Sequence, residues 1–105
     1  MQRLIVTLLL AAAGSPALVV ANGDAQAGKV KAYTCTGCHG IPGYNNVYPT
    51  YKVPRIAGQK YEYLVAALMA YQNGEREHKT MQSQAMSLKP QDIQDISAYF
   101  ASEGK

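Results

Sequence analysis

Two cysteines and a histidine stand close together in the segment Cys35-Thr36-Gly37-Cys38-His39. On an α-helix, residues three or four positions apart share one face, so both thiols and the imidazole can point the same way. Each thiol can then form a thioether with one vinyl group of a porphyrin, while the imidazole reaches the iron. This spacing is the attachment signature of covalently bound haem. The segment therefore predicts a redox cofactor held by Cys35, Cys38 and His39.

Other chemistries fit these cysteines less well. A thioredoxin-like dithiol needs strands around the motif, and the sequence shows no sustained alternation of apolar and polar residues. A structural zinc site needs four ligands in a tetrahedron, whereas the chain has only two cysteines and two histidines, and Cys38 is adjacent to His39. A chance match is the remaining alternative, and the position of the motif after an export-like segment argues against it.

An iron held by one histidine takes a second axial ligand or leaves an open site for small molecules. Methionine sulfur is the usual second ligand in electron-carrying c-type haems, and it raises the reduction potential. The candidates downstream of the motif are Met69, Met81, Met86 and His78. Met69 falls inside a predicted helix, where core packing is its simplest role. The periodicity of the sequence does not choose among the others.

The N-terminal segment has the three-part pattern of a secretory signal peptide, with a basic residue before an apolar run over residues 4–13. Gly14 and Pro16 then interrupt the apolar run. We predict that residues 1–21 are removed and that residues 22–105 form the mature domain. An uncleaved membrane anchor is the alternative, which Gly14, Pro16 and the short apolar run disfavour.

Export agrees with the cysteine motif, because thiol attachment chemistry and disulfides both belong to oxidising compartments. We therefore predict a periplasmic protein without stable membrane insertion after cleavage. The formal net charge is +3 at pH 7 and falls to +2 when Arg3 leaves with the signal. The sequence has no basic run interleaved with aromatic residues, so we expect no nucleic-acid partner.

Three segments of the mature chain have helical patterns. They are residues 24–36, 59–73 and 90–102. Asn22 or Asp24 can cap the first, Gly74 can end the second in the left-handed conformation, and Pro90 suits the first position of the third. The apolar positions at helical spacing are Leu64, Ala67, Leu68 and Tyr71 in the second segment and Ile93, Ile96 and Phe100 in the third. We therefore predict an all-α domain of three main helices wrapped around the cofactor.

Two stretches between these helices lack a helical pattern. Residues 40–58 are rich in proline, glycine and asparagine, which favour turns, and a loop of this length in a small domain fits a segment wrapped around a haem edge. Its tyrosines, Tyr44, Tyr48 and Tyr51, can either shield the cofactor or form a docking surface. Residues 75–87 are polar, and we predict an irregular segment there.

The mature chain resembles a class I c-type cytochrome, and it is most similar to the single-haem units that are doubled in the periplasmic two-haem cytochromes c. The resemblance covers residues 22–102. The matching stretches are residues 23–25, 27–28, 35–40, 53–59, 63–64, 74–76, 88, 92–93 and 98–100. The resemblance implies the class I cytochrome c fold with one covalent haem c. It also implies a close crossing of the first and last helices, with Gly28 against Tyr99 or Phe100.

The resemblance further implies the axial ligands of the iron. In such proteins the methionine ligand lies seven residues before the leucine that precedes the last helix, so Leu88 implies Met81 with His39 as the second ligand. A proline carbonyl, at Pro54 here, is expected to accept the ring N–H of the histidine and fix the imidazole. The haem propionates are expected to contact Arg55, Gln59 and Arg76, because guanidinium groups suit carboxylates.

These features predict a one-electron carrier and not an enzyme in its own right. Its expected partners are redox proteins, with a dehydrogenase as donor and an oxidase or reductase as acceptor. Two alternatives remain from the sequence. One is the haem subunit of a larger dehydrogenase complex, and the other is a haem enzyme or gas sensor whose distal site is open.

Overall fold

Helices provide most of the regular structure in the computed structural model, which describes residues 23–103. Within that range the elements are α1 (Ala25–Lys31), α2 (Tyr33–His39), β1 (Asn45–Asn46), β2 (Tyr51–Lys52), α3 (Tyr61–Asn73), α4 (Lys79–Met86) and α5 (Pro90–Ser102). The prediction of an all-α fold is confirmed. The predicted signal peptide, residues 1–21, lies outside the described residues.

The first predicted helix consists of two short helices that meet at Ala32. Asp24 caps α1 by accepting hydrogen bonds from the backbone N–H groups of Gln26 and Ala27. At the break, the N–H of Ala32 donates to the Gly28 carbonyl at 2.8 Å, and the Ala32 carbonyl accepts from Cys35 at 2.9 Å. Ala32 therefore ends α1 and starts α2, so the cysteine motif has a helix of its own.

Helices α1 and α5 cross at very short range because Gly28 has no side chain. A Cβ atom built on Gly28 would overlap the carbonyl oxygen of Asp95 and would lie 2.9 Å from the Cβ of Tyr99. Gly28 is buried in this contact. The expected contact of Gly28 with Tyr99 is therefore present, and the main obstacle to a larger residue is the backbone of α5.

Polar contacts join the same two helices beside the crossing. Asp95, which is 3% exposed, accepts hydrogen bonds from the backbone N–H of Asp24 at 2.8 Å, Lys31 Nζ at 2.6 Å and Gln91 Nε2 at 2.8 Å. Lys31 also forms an ion pair with Asp92 at 3.0 Å. Both ends of α1 are thus joined to α5 by polar contacts, in addition to the packing at the crossing.

The hydrophobic core is small and lies where α2, α3 and α5 meet. Its central buried side chains are Ala32, Leu64, Ile96 and Phe100. The predicted apolar stripe of α5 is confirmed, since Ile93, Ile96 and Phe100 are each less than 5% exposed. The expectation that Met69 packs in the core is wrong. Its side chain is 51% exposed because it follows Leu68 directly and so lies on another face of α3.

Helix α4 occupies the segment that we predicted to be irregular. The His78 side chain caps it by accepting the N–H of Met81 at 3.5 Å, and the Gln82 side chain accepts the N–H of His78 at 3.3 Å. Its sequence lacks a strong apolar face, but lysine, methionine, glutamine and alanine are good helix formers. The segment is therefore helical although it lacks a hydrophobic stripe, because its residues favour helix and the His78 side chain caps its N-terminus.

The 40–58 loop contains the predicted turns and one short antiparallel pair. In that pair Asn45 is opposite Lys52, and Asn46 is opposite Tyr51. The next residue, Val53, is buried and donates its N–H to the Tyr44 carbonyl at 3.0 Å. The predicted left-handed Gly74 after α3 is also observed, with φ of 88°. In residues 23–103 no helix is long and apolar enough to cross a bilayer.

Candidate functional site

A cavity of about 320 Å³ lies between the 40–58 loop and helices α2, α3, α4 and α5. Every residue that the sequence predicts for the cofactor site borders it. Those residues are Cys35, Cys38, His39, Pro54, Arg55, Gln59, Arg76 and Met81. The predicted apolar positions of α3 also border the cavity, so that face of the helix forms a cavity wall as well as part of the core. Residues from five parts of the chain therefore surround one space.

The two cysteines reach the cavity from α2, where they lie three residues apart. Both are free thiols and both are half-buried. Cys35 also packs against the hydrophobic core, and burial raises the pKa of its thiol. The α2 helix thus presents two thiols to the cavity on one side, as the spacing of the motif predicts.

His39 ends α2 and is held by one well-defined hydrogen bond. Its Nδ1 atom lies 2.7 Å from the carbonyl oxygen of Pro54. Because a carbonyl oxygen can only accept, Nδ1 must carry the proton and donate, which leaves Nε2 as the basic nitrogen of the neutral ring. This is the tautomer that binds a metal through Nε2, and the bond to Pro54 fixes the orientation of the ring.

The structure separates the four candidates for the second axial ligand. Met81 and His78 border the cavity. Met86 is 70% exposed and Met69 is 51% exposed, and neither is part of the cavity wall. His78 already accepts the backbone N–H of Met81 as the cap of α4. Of the three methionines among these candidates, Met81 is therefore the one that borders the cavity.

Arg76 lies at the cavity wall, but aromatic side chains already engage its guanidinium. Its Nη1 atom donates to the hydroxyl oxygen of Tyr63 at 3.2 Å, and its Cζ atom lies 5.0 Å from the ring centre of Tyr71. The hydrogen bond with Tyr63 raises the pKa of Arg76. A guanidinium has five N–H donors, so donors remain for an anionic group at the cavity. Arg55 and Gln59 border the same cavity and are exposed to solvent.

The sequence analysis did not assign Ser97 to the cavity wall, and it left the role of Tyr51 open. Ser97 is fully buried on α5, and its hydroxyl has no hydrogen-bond partner among the described residues. Tyr51 borders the cavity from β2, and its hydroxyl donates to Thr80 Oγ1 at 3.0 Å. Ser97 stands beside Ile96 in an apolar stripe, where a serine gives no signal of its own. For Tyr51 the only signal was its place in a tyrosine-rich loop.

The chemistry of these donors fits a covalent haem. Two thiols, one imidazole with its Nε2 free and one thioether sulfur border the same mostly apolar cavity. They match the attachment groups and axial ligands of c-type haems. Over residues 23–103 no three His, Cys, Asp or Glu side chains come together in a way that could hold a metal ion directly. A zinc centre is therefore not supported by the described part of the chain.

Comparisons with known proteins agree with this chemistry. The family model for cytochrome c matches residues 21–103. The cytochrome c4 of Pseudomonas aeruginosa is 41% identical over 103 residues, which is 98% of this chain and 49% of the relative. The cytochrome c-554(548) of Halomonas halodenitrificans is 39% identical over 84 residues, which is 77% of this chain and 98% of that protein. The chain thus spans about half the length of the cytochrome c4 that it matches.

A similar fold is found in a solved structure of thiosulfate dehydrogenase from Marichromatium purpuratum. The two share a TM-score of 0.65 and 31% sequence identity, over 79% of this chain and 20% of that one. The matched region is therefore one domain of a larger protein. Together with the family match over nearly all the described residues, these comparisons show that the chain belongs to the cytochrome c family, as a class I domain that binds one covalent haem c.

Proposed function

We propose that this protein is an exported one-electron carrier, with Cys35 and Cys38 as the thioether attachment sites and His39 and Met81 as the axial ligands. The arrangement of these four side chains around one cavity supports the proposal most directly. When bound, the haem supplies a one-electron couple between ferric and ferrous iron. The protein would contribute the axial ligands, their orientation and the contacts that bind the haem.

The proposed roles of the residues follow from their contacts. His39 is oriented by the Pro54 carbonyl, so its Nε2 atom would be held in one direction toward a bound iron. Met81 supplies a soft sulfur that favours the reduced state and raises the potential. Filling both axial positions leaves no place for a substrate on the iron, which fits a carrier and not an enzyme. Arg55, Gln59 and Arg76 are proposed to bind the propionates at the polar part of the wall.

Replacing the two methionines of α4 one at a time tests the axial ligand. Met81→Ala should open the sixth position, allow rapid carbon monoxide binding to the reduced protein and lower the reduction potential. Met86→Ala is the matched control, because its side chain is 70% exposed and does not border the cavity. It should leave both properties unchanged. Rapid carbon monoxide binding by the native protein would instead favour an open-site haem enzyme or gas sensor.

Export to the periplasm rests on the signal-peptide pattern of residues 1–21. Cleavage after Ala21 would give a mature chain that begins at Asn22. The intact mass of the haem-loaded protein from a periplasmic extract tests this, since retention of the segment would add its full mass. An intact N-terminus in the membrane fraction would contradict the proposal.

A role as the haem subunit of a larger dehydrogenase is the second candidate. The likeness to one domain of a thiosulfate dehydrogenase supports it. In that case the donor would be a catalytic subunit bound to this domain, and the acceptor another redox protein. Gel filtration of the native protein from its own cells separates the two candidates, because a free carrier elutes near the mass of one or two chains and a subunit elutes with its catalytic partner.

A further inference from the structure

Helix α4 is held in place by few apolar contacts. Ala85 is its one buried side chain, and the other residues are half-buried or exposed. Burial of a single alanine contributes little stabilisation, since the hydrophobic contribution scales with buried apolar area. Apart from the group that the cavity would hold, the position of this helix, and of Met81 within it, therefore depends on polar contacts at its ends.

The C-terminal end of α4 is fixed to the helical scaffold by Gln72. The Nε2 atom of Gln72 donates to the carbonyl of Ala85 at 3.0 Å and to the carbonyl of Leu88 at 2.7 Å. These carbonyls lie at and after the last turn, where an α-helix leaves acceptors without intrahelical partners. Gln72 belongs to α3, so this end of α4 is anchored independently of the 40–58 loop.

The N-terminal end of α4 is fixed to the 40–58 loop by Tyr51. The Tyr51 hydroxyl donates to Thr80 Oγ1 at 3.0 Å, and the Tyr51 ring meets the edge of the His78 ring with centroids 4.6 Å apart. Thr80 directly precedes Met81, and His78 caps the helix by accepting the Met81 N–H. One side chain of the loop therefore contacts the residues on both sides of the start of α4.

The backbone of Tyr51 is fixed by strand pairing. It lies in β2, paired with Asn46, and is followed two residues later by the buried Val53. The next residue, Pro54, accepts the hydrogen bond from His39. The loop segment that holds the imidazole is thus continuous with the segment that contacts α4.

We propose that Tyr51 is a positioning residue that holds Met81 at the cavity through its hydrogen bond to Thr80. The proposal rests on the proposed function, because it takes Met81 as the sixth ligand. Loss of the tyrosine hydroxyl frees the N-terminal end of α4, while Gln72 still holds the other end. The sulfur then leaves the iron more often, and the protein stays folded.

Imidazole binding to the ferric protein measures this opening, because added imidazole enters only after the sulfur has left. Tyr51→Phe should bind imidazole about two- to fivefold faster, which corresponds to about 0.5–1 kcal/mol for one hydrogen bond. Thr80→Val should have the same effect, and the double variant should show no further increase, because both changes remove one shared bond. The sulfur-to-iron charge-transfer band of the ferric protein should weaken in the same variants.

Two control variants make the test specific. Thr80→Ser keeps the acceptor hydroxyl and should bind imidazole at the native rate. Tyr48→Phe removes a hydroxyl from the same loop at a side chain that is 91% exposed, and it should have no effect. Urea unfolding of each variant shows whether a faster rate reflects local opening or a general loss of stability. Where Tyr51→Phe folds poorly, the pair Thr80→Val and Thr80→Ser carries the test.

The outcomes separate the two proposals. Native-like rates for Tyr51→Phe or Thr80→Val, or additive effects in the double variant, would overturn the role of Tyr51 while leaving Met81 as ligand. Immediate imidazole binding by the native protein, with no sulfur band in its ferric spectrum, would overturn the Met81 assignment and the Tyr51 proposal with it. Faster binding in both single variants without additivity would support the role of Tyr51.

Discussion

At the scale of single residues, the most constrained polar group is the Asp95 carboxylate. Burial by itself raises its pKa, but the hydrogen bonds from Lys31, the Asp24 N–H and Gln91 outweigh burial and lower the pKa below its ordinary value. The pKa of Asp92 is also lowered, by the N–H of Lys89 and by Lys31. The charged forms of both carboxylates therefore stabilise the folded state.

The direction of these shifts predicts how stability depends on pH. A carboxylate with a depressed pKa stabilises the fold fully above its unfolded value, about 3.9, and this contribution is lost as the pH falls through the folded value. Asp95→Asn should lower the free energy of unfolding by about 1 kcal/mol at neutral pH. Urea unfolding between pH 7 and pH 3 should then show a smaller loss of stability for the variant than for the native protein below about pH 4.

Glu103→Gln is the control for Asp95→Asn, since it removes one negative charge at an exposed position. It should leave the acid dependence of stability close to native. An Asp95→Asn variant that loses as much stability as the native protein below about pH 4 would show that this carboxylate does not anchor α1 to α5.

At the scale of the elements, the crossing of α1 and α5 brings the first and last helices of the described chain into contact. The two helices can approach so closely because Gly28 places backbone against backbone. Their contact brings together the start of the described chain and its last helix. The motif helix α2 continues directly from α1 through Ala32, so the crossing also sets where the thiols and His39 enter the cavity.

A methyl group at position 28 should therefore force the helices apart. Gly28→Ala is expected to destabilise the haem-loaded protein by about 1–3 kcal/mol, because overpacking outweighs the better helix propensity of alanine. Thermal unfolding followed by circular dichroism measures the effect. Gly37→Ala is the matched control, since no atom lies within 4 Å of the Cβ that it would add. Equal stability of the two variants would mean that the crossing tolerates the methyl group.

At the scale of the whole molecule, the cavity takes up much of the space that a core would fill. Over residues 23–103 the buried apolar side chains are few. They are Ala32, Val53, Leu64, Ala85, Ile93, Ile96 and Phe100. Several of these also border the cavity, so the group bound there contributes to the packing of the same helices. A domain of this size buries only a small protein core, so a bound group can contribute a large share of its stability.

Removal of the thiols proposed to attach the haem should consequently affect folding as well as redox chemistry. A chain with Cys35→Ser and Cys38→Ser, prepared without haem, should lack a cooperative urea transition and should lose most of its helical circular dichroism signal. Thr36→Ser, which keeps both thiols, should take up haem and unfold cooperatively. A sharp two-state transition in the haem-free chain would show that the few buried side chains suffice.

Local patterns predicted much of this structure, and tertiary contacts account for the rest. Gly74 and Pro90 lie at the helix ends that their backbone preferences indicate, and the spacing of Cys35 and Cys38 placed both thiols on one wall. The break at Ala32 had no such signal. At that residue the backbone departs from helical geometry, with φ of −85° and ψ of 8°.

Helix α4 shows more clearly which features could not be predicted from the sequence. Its cap is a histidine, its apolar face is weak, and its anchors come from Gln72 on α3 and Tyr51 on β2. The contacts with Gln72 and Tyr51 cannot be read from residues adjacent to the helix in sequence. The polar composition that suggested an irregular segment instead describes a helix whose stabilisation comes from partners far along the chain.

The short distance along the chain between Tyr51 and Pro54 has a mechanical consequence. One of these residues bonds to the helix that carries Met81, and the other bonds to His39. Only Lys52 and the buried Val53 separate them, so the backbone between the two hydrogen bonds is short. A displacement on one side of the cavity is therefore transmitted to the imidazole through four consecutive residues. The two walls of the pocket are therefore connected by a short stretch of covalent backbone as well as by packing.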